Sequence, residues 1–342
     1  MHPLVSVIVV NYNGKEFLQR CLTCLTDQSY SNLEILVVDN ASVDGSVDFV
    51  RCHFPEVRVI VNQQNLGFAG GVNSALPYTR GKLIALVNPD TEADRDWVSN
   101  LVHSIQLDDN AAAATSVIVH RSGECSCMEQ GRTLNILGYP VDGVFEDPSM
   151  AFYPSGCSMI IRRSVIEPIF DEDYFAYYED ALLGWKLRLK GYEVVKAHKA
   201  HINHYRGGIW DRYLDLKYFY NERNRWLTLL TCYSMASLLK VMPLLVLESI
   251  WRLLVNSAKS LVGCGLPVKP WLRAHWWLIR NWRNVRQKRK HVQSLREVTD
   301  NDVLKLMSCR IAVGRGSGTR IVNWLSRRYC KVIGLTTWEL TR

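Results

Sequence analysis

Leu33-Glu34-Ile35-Leu36-Val37-Val38-Asp39-Asn40-Ala41-Ser42, residues 33–42, is an apolar run of strand length that ends abruptly in polar residues. Its strand core is Ile35–Val38, and similar runs occur at Val5–Val10, Val57–Val61, Leu83–Val87 and Ala112–Val119. Between them lie Phe17–Leu25, Ser46–Arg51, Gly70–Tyr78 and Trp97–Ile105, whose apolar positions recur at helical spacing. Strands apolar on both faces that alternate with helices specify an α/β fold with a mostly parallel sheet covered on both sides. Ligands on such sheets bind beyond the carboxyl ends of the strands. Here those ends are polar: Asn11-Tyr12-Asn13-Gly14, Asp39-Asn40-Ala41-Ser42 and Asn88-Pro89-Asp90-Thr91.

The pattern changes along the chain. Ser122–Ser149 is punctuated by Gly, Asp, Pro and Cys and reads as a loop-rich insertion on the substrate side. A second unit follows, with a strand at Cys157–Ile161, a helix from about Asp180 to Leu189 and a strand at Glu193–Val195. Beyond Asn224 the chain becomes apolar-rich and helical, without a solenoid repeat. Residues 1–225 carry 21 Lys/Arg against 28 Asp/Glu, a net of −7, whereas residues 226–342 carry 20 against 5, a net of +15. Eight of the eleven tryptophans also lie after residue 225. The division predicts domains at 1–225 and 226–342, the second basic and directed at an anionic surface, a membrane or a nucleic acid.

Composition excludes several classes. With 48% hydrophobic and 22% charged residues over 342 positions, the chain has ample material for a core and is not disordered. Ten cysteines are scattered thinly and Leu4–Val10 is too short, with no basic residue before it, to serve as an export signal. Reduced thiols in a cytoplasmic protein are expected rather than a disulfide framework. Cys21 and Cys24 sit on a helix face among leucines with no second pair, which favours core packing over zinc or redox chemistry. Gly314–Gly318 lacks the lysine of a phosphate loop and reads as an ordinary loop. Arg286–Lys290 has no nucleic-acid recognition fold around it, so no nucleic-acid partner is expected.

Three carboxylate positions stand out. Asp39, at the end of its strand, is placed either to accept hydrogen bonds from a ribose or base, or, as a turn aspartate, to cap the helix that starts near Asp44. Asp90 is presented by a turn that Pro89 stiffens, where a carboxylate holds a cation beside a diphosphate or merely closes the turn. Glu179-Asp180 follows the aromatic run in DEDYFAYYED and precedes an amphipathic helix. An acid in a partly dry aromatic pocket suits general base work, and an acid at a helix N-terminus is also a cap.

Taken in order, VSVIVVNYNG, ILVVDNASVDGS, NLGFAGGVNSAL, LVNPDT, GCSMIIRRSVIEPIFDEDYFAYYED and NERNRWLTLL resemble the inverting family-2 glycosyltransferases, especially their rhamnosyltransferase-like branch. The resemblance covers about residues 4–230. It implies a GT-A fold, a nucleotide-diphosphate sugar donor (dTDP- or UDP-linked), a divalent metal (Mg2+ or Mn2+) and a role in cell-surface polysaccharide assembly. Carried over by position, Asp180 is the catalytic base. Asn11, Asp39, Asn40, Asn65, Gly67, Phe68, Gly71 and Asn88 line the donor, and Gly156 and Glu179 lie on the acceptor side. Asp90 stands at the family's Asp-x-Asp metal site, whose first acid is here Asn88. His204 completes metal or diphosphate binding, with His201 as the alternative and a structural histidine as the bland reading of either.

One departure concerns the acid that relatives carry two positions after Asp180, which is here Leu182. The expected reaction is a metal-dependent inverting hexosyl transfer to a hydroxyl of a glycan or lipid-linked acceptor. The rival readings are a non-catalytic, membrane-associated nucleotide-sugar-binding protein and a sugar nucleotidyltransferase. The second rival needs a Gly-rich basic phosphate loop after its first strand, where this chain has Asn11-Tyr12-Asn13-Gly14-Lys15. In the C-terminal region a helix over Trp271–Arg286 aligns Trp271, Leu278, Trp282 and Val285, which predicts an interfacial helix. Trp226–Leu247 is apolar enough to pose a membrane span, but Lys240 and Pro243 interrupt it. The expected location is the cytoplasm, peripheral at the inner face of the cell membrane.

Overall fold

The computed structural model describes residues 2–122, 125–129, 131–142, 149–205, 213–261, 268–314 and 316–340. The chain folds into two compact units. The first comprises Met1–Arg132, Glu146–Leu187 and Tyr192–Arg212, and the second Thr133–Phe145, Arg188–Gly191 and Tyr213–Arg342. The charge-based boundary at 225/226 falls inside a single helix, Leu214–Cys232.

The first unit opens as expected: β1 (Val5–Asn11), α1 (Lys15–Thr26), β2 (Leu33–Asp39), α2 (Ser46–His53), β3 (Arg58–Val61), α3 (Gly67–Ala75), β4 (Leu83–Val87), β5 (Thr91–Ala93) and α4 (Trp97–Gln106). It continues with β6 (Ala111–Ser122) and β7 (Cys125–Glu129), then, past two short strands β8 (Arg132–Leu134) and β9 (Pro140–Asp142), with β10 (Ser158–Arg162), α5 (Glu179–Leu189) and β11 (Glu193–Tyr205). The strands form one sheet in the order β3-β2-β1-β4-β10-β6-β11-β5, with β7 paired to β6. β3, β2, β1 and β4 are parallel, β10 runs antiparallel to both its neighbours, and β11 is parallel to β6 but antiparallel to β5.

Strand alternation sets the layers. Val5, Val7 and Val9 join Leu18, Leu22, Val50 and Trp97 in a core on one face, so α1, α2 and α4 cover that side. Ile8 joins Val72, Ala75, Leu183 and Leu187 in a core on the other, covered by α3 and α5. Each fully buried side chain of this size contributes about 1.5–3 kcal/mol, which makes the register of β1 unambiguous. α3 approaches β1 so closely that a Cβ on Gly71 would lie 2.7 Å from Val10 Cγ1.

Three expectations meet the structure along this part of the chain, of which Thr133–Phe145 belongs to the second unit. Ser122–Ser149 is not simply a loop: β7 extends the main sheet and β8 pairs with β9. Residues 123, 124, 130 and 143–148 of that stretch lie outside those described. The strand expected at Glu193–Val195 runs ten residues further, to Tyr205, past a register shift between Ala197 and His201 that lets it bridge β6 and β5. Cys21 and Cys24 are free thiols, as is every cysteine side chain among the described residues. The side chains of Cys125 and Cys264 lie outside that set.

The second unit contains α6 (Leu214–Cys232), α7 (Met235–Leu261), α8 (Val268–Arg280), α9 (Trp282–Ser294), α10 (Asp300–Leu304) and α11 (Ser317–Val332). The motif NERNRW lies inside α6 and is buried as structure. Arg225 pairs with Glu222 at 2.7 Å and donates to the Leu137 carbonyl at 2.8 Å, while Glu222 also accepts from Trp226 Nε1 at 2.9 Å. The last carbonyls of α6 are capped by α9 and the residues after it: Gln293 donates to Thr231 O at 2.7 Å and Arg296 to Cys232 O at 2.7 Å.

The continuous helix expected over Trp271–Arg286 breaks at Asn281, where φ is −101° and ψ 25°, and whose backbone N–H and side-chain Nδ2 both donate to the Trp277 carbonyl at 2.9 Å. Its stripe also faces differently. Leu278 and Val285 are buried within the unit, and the apolar side that α8 exposes is Leu272, Trp276 and Ile279. Trp226–Leu247 is likewise split by the extended backbone at Tyr233. Among the described residues no helix is long and apolar enough to cross a membrane. Gly316 precedes the first turn of α11, and Arg315 lies outside the described residues.

Candidate active site

The carboxyl ends of β1, β2 and β4 meet the start of β10 at one edge of the sheet. Parallel pairing sets Asn11 beside Asp39, and Asn11 Nδ2 donates to Asp39 Oδ2 at 3.0 Å. The other Asp39 oxygen accepts from the Ser42 N–H at 2.8 Å, and the residue is only 1% exposed. Asp39 therefore anchors the Asn40–Ser42 turn from beneath. Asn11 Oδ1 is buried and unpartnered among the described residues.

That turn in turn holds the glycine-rich loop. Asn40 Nδ2 donates to Gly67 O at 2.9 Å and its oxygen accepts from Asn62 at 2.9 Å. Asn65 Oδ1 accepts from the Gly67 N–H at 2.9 Å, and the Phe68 ring packs on Phe170 with centroids 5.6 Å apart. Gly67 has φ +70°, and a Cβ there would fall 2.4 Å from the Phe175 carbonyl oxygen. The loop thus lies directly against the aromatic run that leads to Asp180.

The Asn88–Thr91 turn is pinned from several sides. Asn88 N–H donates to Cys157 O at 3.1 Å, its carbonyl accepts from Thr91 Oγ1 at 2.7 Å, and the Cys21 thiol lies 3.7 Å from that same oxygen. Asp90 projects from this turn toward β11, where His204 is paired with Thr91 of β5 and with His120 of β6. Asp90 Oδ2 lies 3.4 Å from His204 Nε2. Of the two histidines weighed for this role, His204 stands at Asp90, while His201 offers its carbonyl to Asp94 N at 3.1 Å.

Behind His204 lies a chain that sequence reasoning missed. His204 Nδ1 is 3.0 Å from His120 Nδ1, His120 Nε2 is 3.0 Å from Glu129 Oε2, and that oxygen is 2.7 Å from Arg132 NH2. Burial pushes the Glu129 carboxyl up, but the His120 hydrogen bond and the Arg132 charge outweigh it and hold it below its ordinary value. The signal was present in the sequence: His120 is a polar residue closing an apolar strand.

Glu179 and Asp180 form the first turn of α5. Asp180 Oδ2 accepts from the Gly156 N–H at 2.9 Å and Oδ1 from the Ala181 N–H at 2.7 Å, so the carboxylate is fixed in direction with a lone pair left on each oxygen. Surrounding burial outweighs those bonds and the Arg132 charge and pushes its carboxyl above the ordinary range. Glu179 is buried with Oε2 unpartnered among the described residues, and burial followed by the Asp180 charge raises it well above its usual value. Gly156 keeps the space open: a Cβ there would sit 3.3 Å from Glu179 Oε1 and 3.4 Å from Asp180 Oδ2. Leu182, where an acid was expected, is 3% exposed and packs inside. Phe175, Tyr177 and Tyr178 adopt φ of 61°, 68° and 67°, strained values for non-glycine residues that cluster beside functional groups.

Asp90 and His204 suit a divalent cation that draws its remaining ligands from a diphosphate and water. Among the described residues no group of three or more His, Cys, Asp or Glu side chains is arranged to hold a metal by itself.

Residues 6–170 match the family model described as Glycosyl transferase family 2. This stretch is similar to family-2 glycosyltransferase domains. A glycosyltransferase of Haemophilus influenzae without an assigned reaction is 32% identical over 194 residues, covering 52% of this chain and 58% of its own. The amylovoran biosynthesis glycosyltransferase AmsB of Erwinia amylovora is 25% identical over 187 residues, 51% of this chain and 60% of its own. The chain thus spans about three fifths of the length of these two relatives. Among solved structures, the mannosyltransferase PcManGT from Pyrobaculum calidifontis, in complex with GDP-Man and Mn2+, superposes with a TM-score of 0.51 at 17% identity over 98% of this chain and 84% of its own. The matched domain has the GT-A fold.

Proposed function

We propose that the protein is a metal-dependent, inverting glycosyltransferase that moves a sugar from a nucleotide-diphosphate donor to a hydroxyl of a glycan or lipid-linked acceptor in polysaccharide assembly. The observation that carries this reading is the Asp180 carboxylate. Two backbone N–H groups fix it at a helix N-terminus, in a pocket that raises its proton affinity. A base of that kind takes the acceptor proton as the new bond forms, without outright ionisation of an alcohol in water. The acceptor oxygen attacks the anomeric carbon from the face opposite the leaving nucleotide, which inverts the centre. Asn40, Asn65 and Gly67 hold the loop beside the donor, and Asp90 with His204 would hold the cation. A divalent cation there supplies charge neutralisation for the departing diphosphate. The relative named for amylovoran biosynthesis and the Mn2+ of the mannosyltransferase structure support the polysaccharide and metal parts.

The second unit supports a membrane-side location. α7 exposes Leu239, Leu247, Ile250, Trp251 and Leu254 along one helical stripe, and α8 exposes Leu272, Trp276 and Ile279 beside Arg273 and Arg280. Exposed apolar stripes bordered by basic residues fit an anionic bilayer surface, and a lipid-linked acceptor gives the attachment a purpose.

Transfer assays with a panel of nucleotide sugars test the reaction, and absence of both transfer and donor hydrolysis across the panel counts against it. Calorimetry of UDP and dTDP tests the metal. Asp90→Ala is expected to weaken binding chiefly when Mg2+ or Mn2+ is present, and equal affinities for wild type and variant in both conditions remove the metal role.

A further inference from the structure

We propose that His120 and Glu129 are positioning residues that fix the tautomer of His204, making the Asp90–His204 pair a seat for a divalent cation. The proposal rests on the metal reading of that pair and assigns two residues that the sequence motifs do not include.

Hydrogen-bond roles follow one another along the chain. Glu129 is paired with Arg132 at 2.7 Å, so its oxygen acts as an acceptor. His120 Nε2, 3.0 Å away, must then be the donor. In a neutral ring this leaves His120 Nδ1 with a lone pair. His204 Nδ1 lies 3.0 Å from it and therefore carries the hydrogen. The remaining nitrogen of His204, Nε2, then turns a lone pair toward Asp90 Oδ2 at 3.4 Å. With the His204 ring neutral, two electron-rich atoms face each other at that distance, and their repulsion is relieved by a positive charge at the pair, either a proton on Nε2 or a metal cation.

Strand register builds this arrangement. His204 is the direct cross-strand neighbour of His120, and Glu129 is paired with Ile118, which puts it diagonally across from His120 on the same face. Both His120 and Glu129 are buried, so the chain is shielded from exchange of partners with water. A histidine ligand usually donates its second nitrogen to a carboxylate or carbonyl, and loss of that partner lowers metal affinity about 10–100-fold. Here a second imidazole is interposed between the ligand and its carboxylate.

Histidine ring 15N–1H correlation spectra of the full-length, metal-free protein, recorded where the rings are neutral, read the tautomers directly. The expected result is hydrogen on Nδ1 of His204 and on Nε2 of His120, with resonances assigned through single His→Gln variants. Mn2+ affinity, measured from the paramagnetic resonance of the free ion, supplies the second readout. His120→Phe is expected to weaken Mn2+ binding about tenfold, whereas His120→Gln, whose amide oxygen can accept from His204 Nδ1, regains most of the loss. Circular dichroism confirms that each variant is folded, and if His120→Phe is not, the wild-type tautomers decide. Hydrogen on Nε2 of His204, unchanged Mn2+ affinity in folded His120→Phe, or a Gln variant no better than Phe overturns the relay. Wild-type protein that binds no Mn2+ overturns the metal reading of the pair, and the seat with it, whatever the tautomers show.

Discussion

Asp180 and Glu179 are adjacent acids with different surroundings, and the difference assigns their work. Asp180 holds two backbone N–H groups and is partly exposed, whereas Glu179 is buried with one oxygen unpartnered among the described residues. Asp180→Asn removes the base and leaves one backbone N–H without its acceptor. Transfer is expected to fall at least about a hundredfold while nucleotide binding persists, and near-normal turnover reassigns the base. Because its carboxyl is raised, the acid limb of the wild-type pH–rate profile should lie above the ordinary carboxylate range, and that limb should vanish in the variant. Glu179 makes a stability prediction. Its folded-state value is raised well above the unfolded one, so its favourable contribution is complete below the unfolded value and is lost as pH rises through the folded one. Glu179→Gln, which carries no charge to bury, should therefore gain in melting temperature relative to wild type as pH is raised. A difference that stays constant with pH means that Glu179 is solvated.

At the scale of elements, the glycine-rich loop and the strained aromatic run hold each other. Ala69 N–H donates to Phe175 O at 3.2 Å, and the positive φ of Gly67 brings its α-carbon against that same carbonyl. Gly67→Ala combines a left-handed backbone with a 2.4 Å overlap, so a loss of about 2–4 kcal/mol is expected from strain and overpacking together. Denaturant unfolding of the variant checks this, and a loss below about 1 kcal/mol would show that Phe175 moves aside easily. Strands differ in how plainly their own residues announce them. β1, β2 and β4 are legible to within two residues because burial on both faces leaves a continuous apolar run. β7 and the second half of β11 are not, because Cys125–Glu129 and His198–Tyr205 mix polar and apolar residues and owe their strand form to pairing with β6.

For the molecule as a whole, the second unit carries the contrast in charge and the exposed apolar side chains. Trp251 is 67% exposed on α7 and Ile279 68% exposed on α8. Anionic vesicles should float the full-length protein more strongly than neutral ones. Trp251→Glu combined with Trp276→Glu and Ile279→Glu should abolish flotation with the fold intact. Equal flotation of the triple variant and wild type rejects these faces as the contact. Substitution is the cleaner test, because a truncation at residue 225 ends inside α6 and removes partners of the buried Arg225–Glu222 pair.

The sequence by itself determined the alternation of buried strands and helices, the polar strand ends and the positions of Asp39, Asp90 and Asp180. Each of these follows from local patterning, in which neighbours along the chain supply the physical cause. Tertiary structure decided what each residue touches. Asp39 anchors a turn through the Ser42 N–H, Leu278 and Val285 turned inward, and His204 rather than His201 came to face Asp90. The chain from His204 through His120 to Glu129 joins residues up to 84 positions apart, and only the register of β6 against β7 and β11 brings them together. Pairing between distant strands is a cooperative property of the folded sheet, and no local stretch of sequence contains it.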